Sequence, residues 1–149
     1  MIVSYDIDGV LAEKPPPSDQ KWGNMNGEQR RDRKNFLVDW YKNATPLILP
    51  KEDKFYAISA RKLEPNVYDA TEQWLNKHYP NRVLDVFLLS ESRTVENAAK
   101  FKAYVVCKLH IKRHYEDNKK VLKAMKKYIP SDVELFFWEK GMGDPVPYI

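Results

Sequence analysis

The sequence predicts an α/β domain: a mainly parallel, five-stranded sheet with helices on both faces. Three observations carry that expectation. Short apolar runs alternate with helical apolar stripes along the chain, the pattern of strand–helix–strand crossovers. A length of 149 residues, 43% hydrophobic and 13% aromatic, suits one domain with a sizeable core and excludes a disordered chain. A single cysteine, Cys107, excludes a disulfide framework and a cysteine-based zinc site.

Residues 2–6 form the first strand of this reading. Pro15, Pro16 and Pro17 mark a stiff extended loop. Residues from about 28 to 43 read as a helix with Phe36, Leu37, Trp40 and Tyr41 on its apolar side. Residues 55–59 form a second strand. Val67, Ala70, Thr71, Trp74, Leu75 and His78 then recur at helical spacing, between Pro65, which suits a first turn, and Pro80, which ends a helix. Residues 86–89 form a third strand, and Val95, Ala98, Phe101, Val105 and Leu109 mark the next helix. Cys107 lies in that pattern and reads as a small buried hydrophobe. Residues 111–115 are a weaker fourth strand, interrupted by Lys112 and Arg113. Leu122, Met125 and Ile129 mark a last helix, and residues 133–138 a fifth strand bounded by Pro130 and Gly141.

The charge is uneven. The chain carries 25 Lys+Arg against 21 Asp+Glu, a net +4, yet residues 100–127 hold ten basic and two acidic residues, a local +8. Such a segment is either a solvated helix surface or a face that attracts phosphate-bearing partners. No apolar run approaches the ~20 residues of a membrane helix, and residues 1–6 lack the regions of a signal peptide. The expected partners exclude a membrane, and the expected setting is the cytoplasm of a cell or of an infected host.

In parallel sheets ligands gather at the carboxyl ends of the strands. The first strand ends in Asp6-Ile7-Asp8-Gly9-Val10, the second in Ser59-Ala60-Arg61 and the fourth in Glu116-Asp117-Asn118. Each alone suits a turn or helix cap. Together they bring carboxylates and a hydroxyl to one edge. Clustered oxygens suit a hard cation such as Mg²⁺, which takes one or two carboxylates, waters and substrate phosphate. One carboxylate can attack phosphorus while a second gives and then removes a proton. A Ser hydroxyl and a Lys can hold the phosphoryl oxygens.

On these motifs the chain resembles the haloacid dehalogenase-like (HAD) phosphatase superfamily across nearly its whole length. Asp6-x-Asp8-Gly9 looks like the first motif, Ser59 like the second and Glu116-Asp117 like the fourth. The third motif is a lysine; Lys102 is the choice, with Lys100 and Lys108 in competition. The run Ile58-Ser59-Ala60-Arg61 followed by Thr71-Glu72-Gln73-Trp74-Leu75 is similar to nucleotidase-type and phage members. The resemblance implies a HAD-like Rossmannoid three-layer sandwich, residues 1–149, with strand order 5-4-1-2-3 and a small helical insertion at about 14–50 in place of a large cap. It implies an aspartyl-phosphate on Asp6, acid–base work by Asp8, and Mg²⁺ held by Asp6, the Asp8 backbone carbonyl and Asp117, with Glu116 adjacent or shared. Gly9, Ser59, Ala60 and Arg61 would line the substrate. The substrate class is a phosphorylated small molecule, such as a nucleotide, or a nucleic-acid terminal phosphate, admitted by an open site. The alternative is a catalytically silent HAD-fold module that binds nucleic acid or a protein partner.

Four residues stay open in the sequence. Trp22 either stacks on a base or packs its loop. Arg61 either binds substrate phosphate or pairs with a surface acid. His110 and His114 are spaced i, i+4, but mixed placement before and within a strand makes them poor metal ligands, and His114 reads as a core or supporting residue.

Overall fold

The first strand, β1 (Val3–Tyr5), runs through the middle of a six-stranded sheet in a computed structural model that describes residues 1–149. The other elements follow as α1 (Gly27–Asn43), β2 (Phe55–Lys62), α2 (Pro65–His78), β3 (Val83–Leu89), α3 (Val95–Lys108), β4 (Arg113–Glu116), α4 (Lys119–Met125), β5 (Glu134–Phe137) and β6 (Val146–Pro147). The strands pair in the order β3-β2-β1-β4-β5-β6. All pairings are parallel except β5 with β6, which is antiparallel. The sixth strand is an addition to the five expected. Two residues, one of them Pro147, give no periodic signal, and Pro is tolerated there because β6 is an edge strand.

Two apolar layers sandwich the sheet. On one face Val67, Ala70, Trp74 and Leu75 of α2 and Tyr41 of α1 pack on Val3, Tyr5, Phe55 and Ala57. On the other, Ala98, Ala99, Val105 and Val106 of α3 and Val121, Leu122 and Met125 of α4 pack with Ile58, Leu135 and Phe137. Trp74 is fully enclosed, and its indole N–H donates to the Ala44 carbonyl at 2.7 Å. Truncating a core aromatic of this kind costs about 3–5 kcal/mol. The helix starts are set by side chains: Asn26 and Gln29 form a reciprocal capping box on α1, Pro65 opens α2, Thr94 caps α3, and Asn118 caps α4.

The α2 stripe lies where its spacing predicts. Two other helices differ from their patterns. Only Tyr41 of α1 is buried, and Phe36 is 41% exposed, because α1 lies across the surface of α2 rather than on the sheet. On α3 the buried face is Ala98, Ala99, Lys102, Ala103, Val105 and Val106, while Val95 is half-exposed and Phe101 only partly buried. Lys102 lies inside on that face, and Cys107 lies on the other side of the helix, so Cys107 is exposed and not a core residue. A buried lysine is tolerated only when its charge is matched. The match comes from Asp6 and Glu116, at the carboxyl ends of β1 and β4.

Candidate active site

The central parallel pair fixes the site. Tyr5 of β1 lies level with Tyr115 of β4, and the Asp6 N–H donates to the Tyr115 carbonyl at 2.9 Å, carrying the ladder one residue further. Asp6 and Glu116 therefore leave neighbouring strands at the same edge. Oxygens of Asp6, Glu116 and Asp117 lie within 4.8 Å of one another. Asp8 follows on the same loop and faces the same cleft of about 280 Å³, which Ser59, Ala60, Arg93, Thr94, Lys102 and Asn118 also help to line.

Of Lys100, Lys102 and Lys108, Lys102 is the one that meets the carboxylates. Its Nζ reaches Asp6 Oδ1 at 3.1 Å and Glu116 Oε1 at 2.6 Å from inside the protein. Lys108 is exposed, and Lys100 lies over the Tyr128 ring. Burial works against the Lys102 ammonium, but Asp6 and Glu116 outweigh it and hold it above the usual lysine range. Burial likewise opposes charge on Glu116, yet Lys102 and His114 hold that carboxyl far below its ordinary value. Asp6 goes the other way. Burial, then the charge of Glu116, pushes its carboxyl well above the usual range, and Lys102 only partly compensates. Burial and Glu116 also raise Asp117, against the pull of Lys14, whose Nζ sits 2.5 Å from Asp117 Oδ2. Three carboxylates thus meet two ammonium groups, an arrangement short of positive charge.

His114 belongs to this cluster as support. It is fully buried, with Ser4 Oγ 2.8 Å from Nδ1 and Glu116 Oε1 3.3 Å from Nε2. A neutral ring with its proton on Nε2 satisfies both: the Ser4 hydroxyl donates to Nδ1 and Nε2–H donates to Glu116. Burial holds the ring below its usual pKa, despite the pull of Glu116. His110 lies apart, exposed, in a left-handed conformation after α3.

Gly9 is required by geometry. Its φ is +89°, and a Cβ there would collide with the Asp117 carboxylate and stand 2.6 Å from Lys14 Cε. No side chain fits between the first loop and the end of β4.

Arg61 is neither free in the cleft nor paired with a surface acid. Its side chain is fully buried, with Nε donating to Asp8 Oδ2 at 2.9 Å and Nη2 to Asp8 Oδ1 at 2.8 Å. Nη1 donates to Thr71 Oγ1 at 2.9 Å, and the Tyr41 ring covers the guanidinium at 3.8 Å. The Asp8 side chain thus stands outside the carboxylate cluster. Ser59 is buried at the cleft and accepts from the Arg61 N–H at 3.1 Å, within the last part of β2, which runs on to Lys62 through an irregular register with β3.

Trp22 does not line the cleft. It sits in a short 3-10 turn, 47% exposed, with Arg30 and Lys34 over its ring at 5.4 and 5.8 Å. From residues 14–50 only Lys14 reaches the cleft wall. The basic segment is also less free than its count suggests: Lys102 is inside, Lys112 pairs with Asp132, and Arg113 pairs with Glu134.

Sequence reasoning missed Lys14, Arg93, Thr94 and Asn118 as cleft residues, and Thr71 and Tyr41 as supports of Arg61. Lys14 and Arg93 stand in loops with no motif around them, so only the fold identifies them. No known family model matches the chain, and no curated protein matches it. No helix is long and apolar enough to cross a membrane.

Proposed function

We propose that the protein is a Mg²⁺-dependent phosphomonoester hydrolase of the HAD type, acting on a nucleotide or on a terminal phosphate of a nucleic acid. The observation that carries this reading is the meeting of Asp6, Glu116 and Asp117 within 4.8 Å, with Lys102 bridging two of them and Asp8 on the same loop. The sheet order supports it, because β5-β4-β1-β2-β3 is the arrangement the resemblance implies, extended by one edge strand.

The donor set fits a hard cation. It is all oxygen, it carries an excess of one negative charge over its ammonium partners, and the Asp8 carbonyl accepts no hydrogen bond from the chain. Asp6, Asp117 and the Asp8 carbonyl would hold Mg²⁺, with Glu116 beside them, fixed by Lys102 and His114. The cation would neutralise phosphoryl oxygens and the cluster's own repulsion.

In this mechanism an Asp6 oxygen attacks phosphorus as the bond to the leaving oxygen breaks. That oxygen keeps the bonding pair and takes a proton from Asp8. In the second step Asp8 removes a proton from water, whose oxygen attacks phosphorus and releases Asp6. Lys102 holds Asp6 in line and offsets the phosphoryl charge. Ser59 hydrogen-bonds a phosphoryl oxygen. With only Lys14 standing over the cleft from the 14–50 stretch, a bulky substrate can approach.

The test is phosphate release from a generic phosphate ester with Mg²⁺. Asp6→Asn is expected to lower turnover on the order of 10⁴-fold or more. Activity retained in that variant rejects Asp6 as nucleophile. Activity that falls steeply with salt identifies a polynucleotide end, and a flat response identifies a small nucleotide. Nucleic-acid binding without turnover or Mg²⁺ binding establishes the silent module instead.

A further inference from the structure

We infer that Arg61 is a positioning residue for Asp8: its bidentate grip fixes the carboxyl group that exchanges the proton with the leaving oxygen. This rests on the hydrolase reading above. The sequence alone allows Arg61 to bind substrate phosphate or to pair with a surface acid. The structure gives its donors other work. Nε and Nη2 are both spent on Asp8, and Nη1 on Thr71.

The grip is itself held. Thr71 is fully buried, and its hydroxyl donates to the Val67 carbonyl at 2.7 Å, so its oxygen is free to accept from Arg61 and cannot rotate without losing that bond. The Tyr41 ring closes the guanidinium face from α1. Thus α1 and α2, which supply no residue to the chemistry, both act on Asp8 through Arg61. A planar fork against a carboxylate fixes the plane of the carboxyl group, which a lysine at the same place cannot do. Turning Asp8 about its last torsion breaks two short hydrogen bonds at once. The group nonetheless faces the cleft, with its side chain 11% exposed. The hydrogen bonds from Arg61 also strengthen as Asp8 gives up its proton, so they act more on the transition state than on the ground state.

The experiment compares kcat/KM for two phosphate esters in wild type and in Arg61→Lys. para-Nitrophenyl phosphate has a leaving group that needs no proton, whereas an alkyl phosphate needs one. If Arg61 aims Asp8, Arg61→Lys lowers kcat/KM for the alkyl ester by about 10–100-fold and for the nitrophenyl ester by less than about 3-fold, a fraction of the 10²–10⁴ that acid–base groups supply. Equal losses on both esters overturn the proposal, because a phosphate ligand or a merely structural role shows no leaving-group dependence. Thr71→Val removes the Nη1 acceptor while sparing both Asp8 contacts. It carries the test should Arg61→Lys not fold, with the same selectivity at about 3-fold expected. Wild type inactive on both esters defeats the hydrolase reading and this role together, a result distinct from equal losses.

Discussion

Asp6 and Asp8 stand two residues apart on one loop, yet the protein treats them oppositely. Asp6 turns toward β4 and α3, where two more carboxylates crowd it and Lys102 is shared with Glu116. Asp8 turns toward β2, where one arginine is devoted to it. The Asp6 side is left short of positive charge, which suits a nucleophile that works beside a cation. The Asp8 side is balanced within the chain, which suits a group that must keep one orientation through two proton transfers. The difference arises from the neighbouring strands: β4 delivers acids to the edge and β2 delivers a hydroxyl and a guanidinium.

The most severe way to break this contrast is Lys102→Met. It leaves Asp6 and Glu116 buried without their cation, and a broken buried pair costs about 3–5 kcal/mol. Urea unfolding measures it; a loss below about 1 kcal/mol shows that the cluster does not depend on Lys102.

Gly9→Ala strikes the loop that carries the two carboxylates. The left-handed φ and the collision with Asp117 predict a loss of about 1–3 kcal/mol, read from the melting temperature. An unchanged melting point means the loop has room to rearrange.

The pH dependence sharpens the Asp6 side. Its folded pKa lies above the unfolded value, so on raising the pH the unfolded chain loses this proton first. This group's contribution to stability therefore falls as pH rises from the ordinary Asp range through its folded pKa. In chelator at pH 7, Asp6→Asn is expected to melt above wild type, and added Mg²⁺ to narrow the gap by stabilising wild type alone. A variant that melts lower shows that Lys102 already satisfies Asp6. The smallest effect is expected from Trp22→Ala, far from both carboxylates. Its stability should change by no more than about 0.5 kcal/mol, and kcat/KM on a small ester should be unaffected. A large drop in activity places Trp22 at the substrate.

Much of the site was legible because it lies where chain direction alone puts residues, at the ends of apolar runs. Asp6, Asp8, Ser59 and the pair Glu116-Asp117 needed only the rule that parallel strands end at one edge. Lys102 was not separable from Lys100 and Lys108, since all three belong to one basic stretch. Hydrophobic spacing runs past it, because Lys102 falls on the same side of α3 as Ala98 and Val105 but, being charged, adds nothing to an apolar stripe. Arg61 was visible as a residue but not as a partner, since Asp8 lies 53 positions away. His114 was recognisable as support, yet its link from Ser4 to Glu116 depends on β1 and β4 lying side by side.

The sequence by itself determined the α/β architecture, the alternation of strands and helices, and which acids reach one edge of the sheet. These follow from local periodicity and from the one direction in which parallel strands can end. The tertiary structure alone decided which cation meets which acid, because a buried charge is stabilised by a neighbour in space. It also decided that Lys102 stays charged inside the protein, since only Asp6 and Glu116, brought from β1 and β4, make a buried ammonium tolerable.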